Sequence, residues 1–310
     1  MEKGFLSVVM ALSGVSVLQV TKASDYNTGH LIFSVLFMSY QCPLCHQPLA
    51  QHATNWRCAN NHQFDQAKEG YVNLMPAHHK SSKNPGDNKE MMQARRLFLE
   101  GGHYDALRAT VIDKLRQYLP EDARELLDIG CGEGYYTAAF ADALKADHAE
   151  MTVHGLDISK VAVRYAAKRY PQCDFCVASS HRLPFAEASL DGMVRIYAPC
   201  KADELQRTLK TGAILVAVTP APRHLYQLKE MIYDDVRLHD VPVENIEGFE
   251  LVEDMQLHYD MTLNGEEATA LMQMTPFAWK TSDAVWQQLA NTEQRHCEAD
   301  FAIRVYRRLA

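Results

Sequence analysis

Two hydrophobic patterns alternate along the chain from about residue 88 to the C-terminus. Short apolar runs predict buried strands, whereas longer stretches with an apolar residue at every third or fourth position predict amphipathic helices. The predicted strands cover residues 124–129, 151–155, 174–178, 190–196, 213–219, 249–260 and 300–307, and the predicted helices cover 88–100, 105–119, 135–144, 159–169, 201–209 and 222–237. This alternation, which closes on a late pair of strands, predicts an α/β fold with a mostly parallel seven-stranded sheet.

The composition is that of a globular protein of about two domains. Of the 310 residues, 47% are apolar and 23% are charged, which excludes disorder, collagen-like repeats and coiled coil as the main architecture. The 31 Lys and Arg against 39 Asp and Glu give a net charge of -8, which excludes attachment to nucleic acid by bulk charge but allows a local basic patch. The eight cysteines do not form a disulfide framework, so we expect a reducing, cytoplasmic compartment.

The first 37 residues differ in pattern from the rest of the chain. Residues 5–20 form an apolar run that is short for a membrane span, which needs ~20 residues. Residues 31–37 form a second apolar run, and Glu2 cancels the charge of Lys3 that a secretory signal would use. We therefore predict that residues 1–37 are an extension outside a functional fold that begins at Met38, with no membrane partner. A signal peptide or a membrane anchor is the alternative interpretation.

A metal-binding pattern follows, in a segment too short to bury a core by itself. Two pairs of ligand-type residues, with 12 residues between them, offer three thiolates and one imidazole: Cys42 and Cys45, then Cys58 and His62. Four protein ligands can close a tetrahedron around Zn²⁺, so we predict a structural zinc site in a small domain at 38–75 that folds on binding the metal. His46 and His52 are the competing imidazoles, and unliganded thiols are the alternative.

Residues 76–104 are predicted to form a basic linker that runs into a helix at about residue 88. Between residues 78 and 96 there are five Lys or Arg against two acids, a local reversal of the negative charge of the chain. A solvated linker and a strip that contacts nucleic-acid phosphates both account for this pattern. A second, larger domain is predicted at residues 105–310.

A glycine turn after the first strand of this domain predicts a ligand site. Strand 124–129 leads into Gly130-Cys131-Gly132-Glu133-Gly134, where glycines let a ligand approach the backbone. Asp128 lies two residues before the first glycine, and Asp157 ends the next strand, where a carboxylate can hold ribose hydroxyls. The negative charge at residue 128 favours the cationic, phosphate-free S-adenosylmethionine over a dinucleotide, which is the alternative ligand.

From Met38 to Ala310 the chain resembles the RlmA (RrmA) family of 23S rRNA guanine-N1 methyltransferases. The most specific stretch is 42–74, which includes Asn61-His62-Gln63-Phe64-Asp65 and Ala67-Lys68-Glu69-Gly70-Tyr71. Further matches are Gly86-Asp87, Ala94-Arg95, Phe98-Leu99, Tyr104, the run 128–134, Tyr197-Ala198-Pro199-Cys200 and Met274-Thr275-Pro276-Phe277. A zinc module joined to the glycine motif is far more restrictive than the glycine motif alone.

The resemblance implies a Rossmann-like class I methyltransferase that uses S-adenosylmethionine as its cofactor. It implies that the enzyme methylates N1 of a guanine in a 23S rRNA hairpin, helix 35. It also implies that the enzyme is a homodimer. It assigns zinc ligation to Cys42, Cys45, Cys58 and His62. It assigns cofactor contacts to Tyr104, Gly132, Glu133, Asp157 and His224. Two other classes stay open, namely a small-molecule methyltransferase whose zinc module caps the pocket, and a non-catalytic factor that binds or assembles rRNA.

The sequence assigns no catalytic residue. The guanine N1 proton must leave around the time of methyl transfer, and loop 197–200 is the expected acceptor platform. His224 has three interpretations, as a base, a cofactor contact or an ordinary helix-start histidine. Cys200 follows a proline, and an alternative interpretation is that it acts as the nucleophile of a cytosine C5 methyltransferase. Residues 178–181 lack the Asp with which many methyltransferases bind adenine, so we assign no adenine contact.

Overall fold

The computed structural model describes residues 40–76, 86, 88–238 and 240–310. The predicted N-terminal extension at 1–37 lies outside the described residues, as does most of the basic segment between residues 77 and 87. In the part of the chain that is described, no helix combines the length and the apolar character that crossing a membrane requires.

The N-terminal segment folds as a small antiparallel sheet beside a larger domain. Its strands are β1 (Ala50–His52), β2 (Asn55–Arg57) and β3 (Gln63–Asp65), in that order across the sheet. The Tyr40 ring packs against Phe185 and His154 of the larger domain, with centroid distances of 5.3 Å and 5.6 Å. A short strand, β4 (Val72–Asn73), leaves this segment and joins the sheet of the larger domain.

The larger domain alternates strands and helices, as the hydrophobic pattern predicts. Its strands are β5 (Glu125–Ile129), β6 (Thr152–Asp157), β7 (Asp174–Val177), β8 (Leu190–Ile196), β9 (Leu209–Pro220), β10 (Phe249–Leu263) and β11 (Arg295–Arg308). Its helices are α1 (Lys89–Glu100), α2 (Asp105–Tyr118), α3 (Tyr135–Leu144), α4 (Lys160–Arg169), α5 (Ala202–Thr208), α6 (Tyr226–Lys229), α7 (Gly265–Gln273) and α8 (Asp283–Ala290), with a 3-10 helix at Ala278–Lys280.

The sheet order is β10-β11-β9-β8-β5-β6-β7-β4. The first seven of these strands confirm the predicted mostly parallel, seven-stranded architecture, and β4 from the N-terminal segment adds an eighth. Strands β4 to β9 pair in parallel, whereas β11 is antiparallel to both of its neighbours. Both faces of the central strands are covered, so that Leu126 and Leu127 of β5 are each fully buried. The loops after the parallel strands therefore meet at one edge of the sheet.

The helix predicted at 222–237 is wrong in its length, because the structure keeps only the short helix α6. Leu225, just before α6, has a φ of 55°, and the chain beyond α6 leaves the helical path. The Arg304 guanidinium donates hydrogen bonds to the carbonyl oxygens of Val241 and Pro242 at 2.9 Å and 3.1 Å. These tertiary hydrogen bonds hold the chain directly after this segment, at residues 241 and 242, in a non-helical path.

Helices α7 and α8 lie outside the predicted set, although each begins with a capping residue. The Asn264 side chain accepts a hydrogen bond from Glu267 N, and the Glu267 carboxylate accepts one from Asn264 N, both at 2.9 Å. This capping box starts α7, and Ser282 caps the first turn of α8. These capping residues are the sequence feature that could have located both helices.

Candidate functional site

A cavity of about 990 Å³ lies at the carboxyl ends of the parallel strands. Its wall is formed by the loops that follow β5, β6, β8 and β9, by helix α1, and by the residues directly after α7. All five residues expected to contact a cofactor lie on this wall: Tyr104, Gly132, Glu133, Asp157 and His224. The fold therefore brings together residues up to 120 positions apart in the sequence.

The turn after β5 presents bare backbone to the cavity. Gly130 has a φ of 74°, and a Cβ there would lie 2.7 Å from Ala198 Cβ, which leaves no room for a side chain. Gly132 has a φ of 55°, and a Cβ there would meet nothing within 4 Å. Asp157 accepts hydrogen bonds from Gly132 N at 3.0 Å and Ser159 N at 2.7 Å, which fix its carboxylate beside the turn. An open glycine turn next to a fixed carboxylate fits a ribose-bearing ligand such as S-adenosylmethionine.

The acid at the end of β5 is buried next to this turn. Asp128 is 2% exposed and accepts a hydrogen bond from Thr137 Oγ1 at 2.6 Å. Burial raises the pKa of Asp128 to about 7, with a smaller contribution from Asp157, while the hydrogen bond from Thr137 opposes the rise. A carboxyl with this pKa is ionised more completely when a cation binds beside it. This environment fits the sulfonium of S-adenosylmethionine.

Glu133 is oriented by a helix from outside the glycine turn. Arg96 Nε and Nη2 donate to its two carboxylate oxygens at 2.8 Å and 2.5 Å. Arg96 belongs to α1, whose Met92 and Leu99 also line the cavity. The two paired residues lie 37 positions apart, so no local pattern in the sequence predicts their ion pair. Helix α1 thus forms one wall of the site and holds a predicted cofactor contact in place.

His224 lies in a buried aromatic group, and its hydrogen bonds define its tautomer. Its Nδ1 accepts a hydrogen bond from the Asp300 backbone N–H at 3.2 Å, so the proton of the neutral ring is on Nε2. Nε2 lies 3.4 Å from the hydroxyl oxygens of both Tyr104 and Tyr197. In this tautomer Nε2 donates and does not accept a proton, which favours a binding role for His224 over that of a base.

The predicted acceptor platform also lies on the cavity wall. Tyr197, Ala198 and Pro199 line the cavity, and Tyr197 has a φ of 58°. The thiol of Cys200 donates to the Ser180 carbonyl oxygen at 3.0 Å, and burial raises its pKa to about 12. A thiol that stays protonated at neutral pH is a poor nucleophile, which argues against cytosine C5 methylation.

The four residues of the metal-binding pattern come together in the N-terminal segment. Cys42, Cys45, Cys58 and His62 place their ligand atoms within 4.8 Å of one another. The distances from His62 Nδ1 to the three sulfur atoms, in chain order, are 3.5 Å, 3.3 Å and 3.5 Å. A tetrahedral zinc ion with bonds of ~2.0–2.3 Å holds its ligand atoms about 3.5–3.8 Å apart. The donor set and its spacing fit zinc, and four protein ligands leave no position for a substrate.

Two tight turns shape this cluster. His46 N donates to the Cys42 carbonyl oxygen at 2.9 Å, and Asn61 N donates to that of Cys58 at 3.0 Å. His46 and Asn61 both have a φ of 60°, so each closes the turn that follows a ligand cysteine. Within the described residues, neither His46 nor His52 belongs to the cluster. The choice of His62 over the competing imidazoles is therefore consistent with the geometry.

Comparison with known proteins finds relatives along most of the chain. The family model described as RlmA, N-terminal, a zinc ribbon, matches residues 40–83, and the model described as Methyltransferase domain matches residues 126–218. The 23S rRNA (guanine(748)-N(1))-methyltransferase of Streptomyces fradiae is 30% identical over 246 residues, which span 77% of this chain and 85% of that protein. A putative 23S rRNA (guanine-N(1)-)-methyltransferase of Micromonospora griseorubida is 31% identical, and the match spans 79% of this chain and 88% of that protein. A second putative 23S rRNA (guanine-N(1)-)-methyltransferase, from Bacillus subtilis, is 30% identical, and the match spans 79% of this chain and 89% of that protein.

Proposed function

This chain belongs to the RlmA family of S-adenosylmethionine-dependent 23S rRNA (guanine-N1)-methyltransferases, and we propose that its target is a guanine in the helix 35 hairpin. The observation that carries the proposal is the presence, in one chain, of a four-ligand zinc cluster and a glycine-lined cavity. The choice of helix 35 rests on the resemblance to the family. Zinc supplies folding energy to the N-terminal segment, and S-adenosylmethionine supplies the methyl group.

Methyl transfer from a sulfonium is an in-line displacement, which the protein accelerates mainly by aligning donor and acceptor. We propose that Asp157 and the backbone at Gly132 hold the ribose side of the cofactor, and that Tyr104, Glu133 and His224 complete its binding site. The target guanine reaches the cavity beside loop 197–200. A base within a structured hairpin must be splayed out to expose its N1 edge, so the enzyme acts on an extruded guanine.

Reverse transcription of the methylated RNA tests this proposal. Unmodified 23S rRNA is incubated with the zinc-loaded chain and labelled S-adenosylmethionine. We expect label in the RNA and a reverse-transcription stop at one guanine of helix 35, because N1-methylguanine blocks the Watson–Crick edge. A stop at another hairpin would contradict the proposed target. If a chain that binds the cofactor labels no rRNA, the methyltransferase acts on another acceptor, and the small-molecule interpretation replaces the RNA one.

We expect the affinity for S-adenosylmethionine to increase with pH through the pKa of Asp128. The pKa of this carboxyl is about 7, and the sulfonium cation favours its ionised form. If only the ionised form binds, the apparent Kd falls about tenfold between pH 6 and pH 8. Calorimetric titration over this range measures the slope, and Asp128→Asn should abolish it.

The raised pKa of Asp128 affects the stability of the ligand-free protein in the opposite direction, so that stability decreases as pH rises. An unfolded Asp titrates near ~3.9, so the folded state binds the Asp128 proton more tightly than the unfolded state does. The contribution of Asp128 to stability therefore declines as pH rises from about 4 to about 7. The free energy of unfolding, measured over this pH range, tests the prediction. The same decline in the parent protein and in Asp128→Asn would contradict the assigned burial of Asp128.

We expect Trp279 to contribute to RNA binding at the mouth of the cavity. Its ring is 79% exposed, on the 3-10 helix directly after Met274–Phe277, which line the cavity. The Lys280 ammonium lies 5.2 Å from the Trp279 ring and 5.0 Å from the Tyr233 ring. Stacking of a base on an aromatic ring contributes ~1–3 kcal/mol, so Trp279→Ala should weaken binding of a hairpin RNA roughly 5- to 150-fold by fluorescence anisotropy.

Leu309→Ala is the matched control, because Leu309 is 45% exposed near the C-terminus and does not line the cavity. Equal RNA affinities for the parent protein and Trp279→Ala would contradict this prediction. Binding of the hairpin by the parent protein in the same assay is the positive control.

We also propose that the protein acts as a cytoplasmic homodimer. The resemblance to the family supports the dimer, and the rRNA substrate together with the thiolates of the zinc cluster supports a reducing compartment. Light scattering of the purified chain is expected to give twice the mass of 35.1 kDa. A mass that stays at the monomer value across the working concentration range would contradict the dimer.

A further inference from the structure

A buried lysine lies on the wall of the cavity. Lys229, the last residue of α6, is 8% exposed and lines the cavity. Among the described residues, no hydrogen bond or ion pair to its amine is found. Burying an unpaired ammonium is costly, so this amine either loses its proton or meets a charge that a ligand brings.

The surroundings of Lys229 favour the neutral amine. Burial lowers the pKa of Lys229, and its electrostatic neighbour is the Cys297 thiol of β11. Burial raises the pKa of Cys297 to about 12, so this thiol brings no negative charge at neutral pH. Glu298 on the same strand is occupied by hydrogen bonds from Arg223 and Gln227.

Other titratable groups on this side of the cavity do not supply a countercharge either. Burial raises the pKa of Tyr104, and His224 is held as a neutral donor. Asp235 and Arg237 of the segment after α6 are both exposed to water. Tyr233 lies beside the Lys280 ammonium. Among the described residues, none of these groups forms an ion pair with Lys229.

The proposed reaction needs a proton acceptor, because neutral guanine carries a proton on N1. His224 does not fill this role in the tautomer that the hydrogen bond from Asp300 N indicates, since Nε2 then carries the proton. The carboxylates on the cofactor side are already engaged: Glu133 with Arg96, Glu100 with Arg169, Asp128 with Thr137, and Asp157 with two backbone amides. The amine of Lys229 is not engaged in this way, and burial lowers its pKa toward the range in which an amine can accept a proton.

We propose that Lys229 is the general base of the reaction and accepts the N1 proton of the target guanine. This inference rests on the proposed function. The electron pair of the N1–H bond forms the N1–CH3 bond, and the electron pair of the S–CH3 bond stays on sulfur. The proton passes to the amine of Lys229, so the charge of the sulfonium is replaced by the charge of an ammonium. The products, S-adenosylhomocysteine and N1-methylguanine, leave without that charge.

Single-turnover methylation of a hairpin RNA tests the role of Lys229. Removing a general base costs roughly 10²–10⁴ in rate, so Lys229→Ala should lower the rate by at least about 100-fold while the Kd for S-adenosylmethionine changes less than about threefold. Added primary amines should restore part of the rate to Lys229→Ala, in proportion to their neutral fraction. Lys229→Arg should stay inactive, because a guanidinium keeps its proton.

Two comparison variants make the result specific. Lys168→Met removes an exposed lysine from the last turn of α4 and should leave the rate unchanged. Asp235→Asn removes the water-exposed carboxylate on the cavity wall, which is the rival base. Loss of activity in Asp235→Asn combined with full activity in Lys229→Ala would overturn the assignment to Lys229.

Other outcomes also separate the hypotheses. A large loss of S-adenosylmethionine affinity in Lys229→Ala would show that Lys229 meets the cofactor carboxylate, and activity in Lys229→Arg would show that charge matters and basicity does not. Either result overturns the proposal. Absence of methylation by the parent protein on every rRNA tested would instead contradict the proposed function itself.

Discussion

Replacing Asp157 by alanine is expected to weaken the binding of S-adenosylmethionine by roughly 10- to 150-fold. The carboxylate is fixed by hydrogen bonds from Gly132 N and Ser159 N, so its remaining lone pairs are aimed before the ligand arrives. Hydrogen bonds to a charged group contribute about 1.5–3 kcal/mol, and each 1.4 kcal/mol is a factor of ten in Kd. Isothermal titration calorimetry with S-adenosylmethionine measures the change directly.

A second substitution separates the contact with the ligand from the support of the turn. Asp157→Asn keeps the shape of the side chain but places an NH₂ where one oxygen now accepts a backbone hydrogen bond, so we expect a loss of affinity close to that of alanine. Exchange of the Gly132 amide with deuterium reports on the turn. Wild-type affinity in both variants would show that Asp157 does not hold the cofactor.

Substituting a zinc ligand is expected to abolish the fold of the N-terminal segment. Structural zinc contributes ~10–16 kcal/mol of binding free energy in small domains, which is more than a segment of this size can gain from burial alone. Cys58→Ser should therefore leave the purified chain without stoichiometric zinc, lower its Tm and remove methylation of rRNA. Zinc release in a colorimetric assay and calorimetric unfolding measure these effects.

His52→Ala is the matched control for this experiment. His52 is an exposed imidazole on β1 and lies outside the cluster, so its removal should change neither zinc content nor Tm. S-adenosylmethionine binding by Cys58→Ser shows whether the larger domain is still folded. Full zinc content in Cys58→Ser would contradict the assigned ligand set.

The central strands could be predicted from the sequence because both of their faces are buried. Residues 190–196 are predicted as a strand, and β8 has these same bounds, since all but the last of its residues are buried. Segment 222–237 has helical spacing but forms only α6, because residues 233 and 235–237 line the cavity instead and Arg304 holds the chain just beyond the segment, at Val241 and Pro242. Long-range hydrogen bonds of this kind leave no periodic trace in a sequence.

Some residues of the candidate site could likewise be predicted from the sequence, and others could not. Gly132 and Asp157 belong to short motifs whose spacing follows from a strand, a turn and a helix, so their meeting at one cavity could be predicted. The ion pair between Arg96 and Glu133, and the position of Lys229 on the cavity wall, depend on how α1 and α6 pack against the sheet. Neither Arg96 nor Lys229 belongs to a motif, and only the folded chain identifies these two residues as part of the site.

The eighth strand has a consequence for the behaviour of the protein when metal is scarce. β4 pairs with Cys176 and Val177 of β7, and Leu74 N extends the pairing to the Val177 carbonyl oxygen at 2.9 Å. Without β4, the open edge of β7 would present unpaired backbone groups that template association with other chains. We therefore expect zinc starvation to appear first as insolubility of the whole polypeptide. The metal stabilises the segment that supplies β4, and β4 covers the edge of β7 that would otherwise pair with other chains.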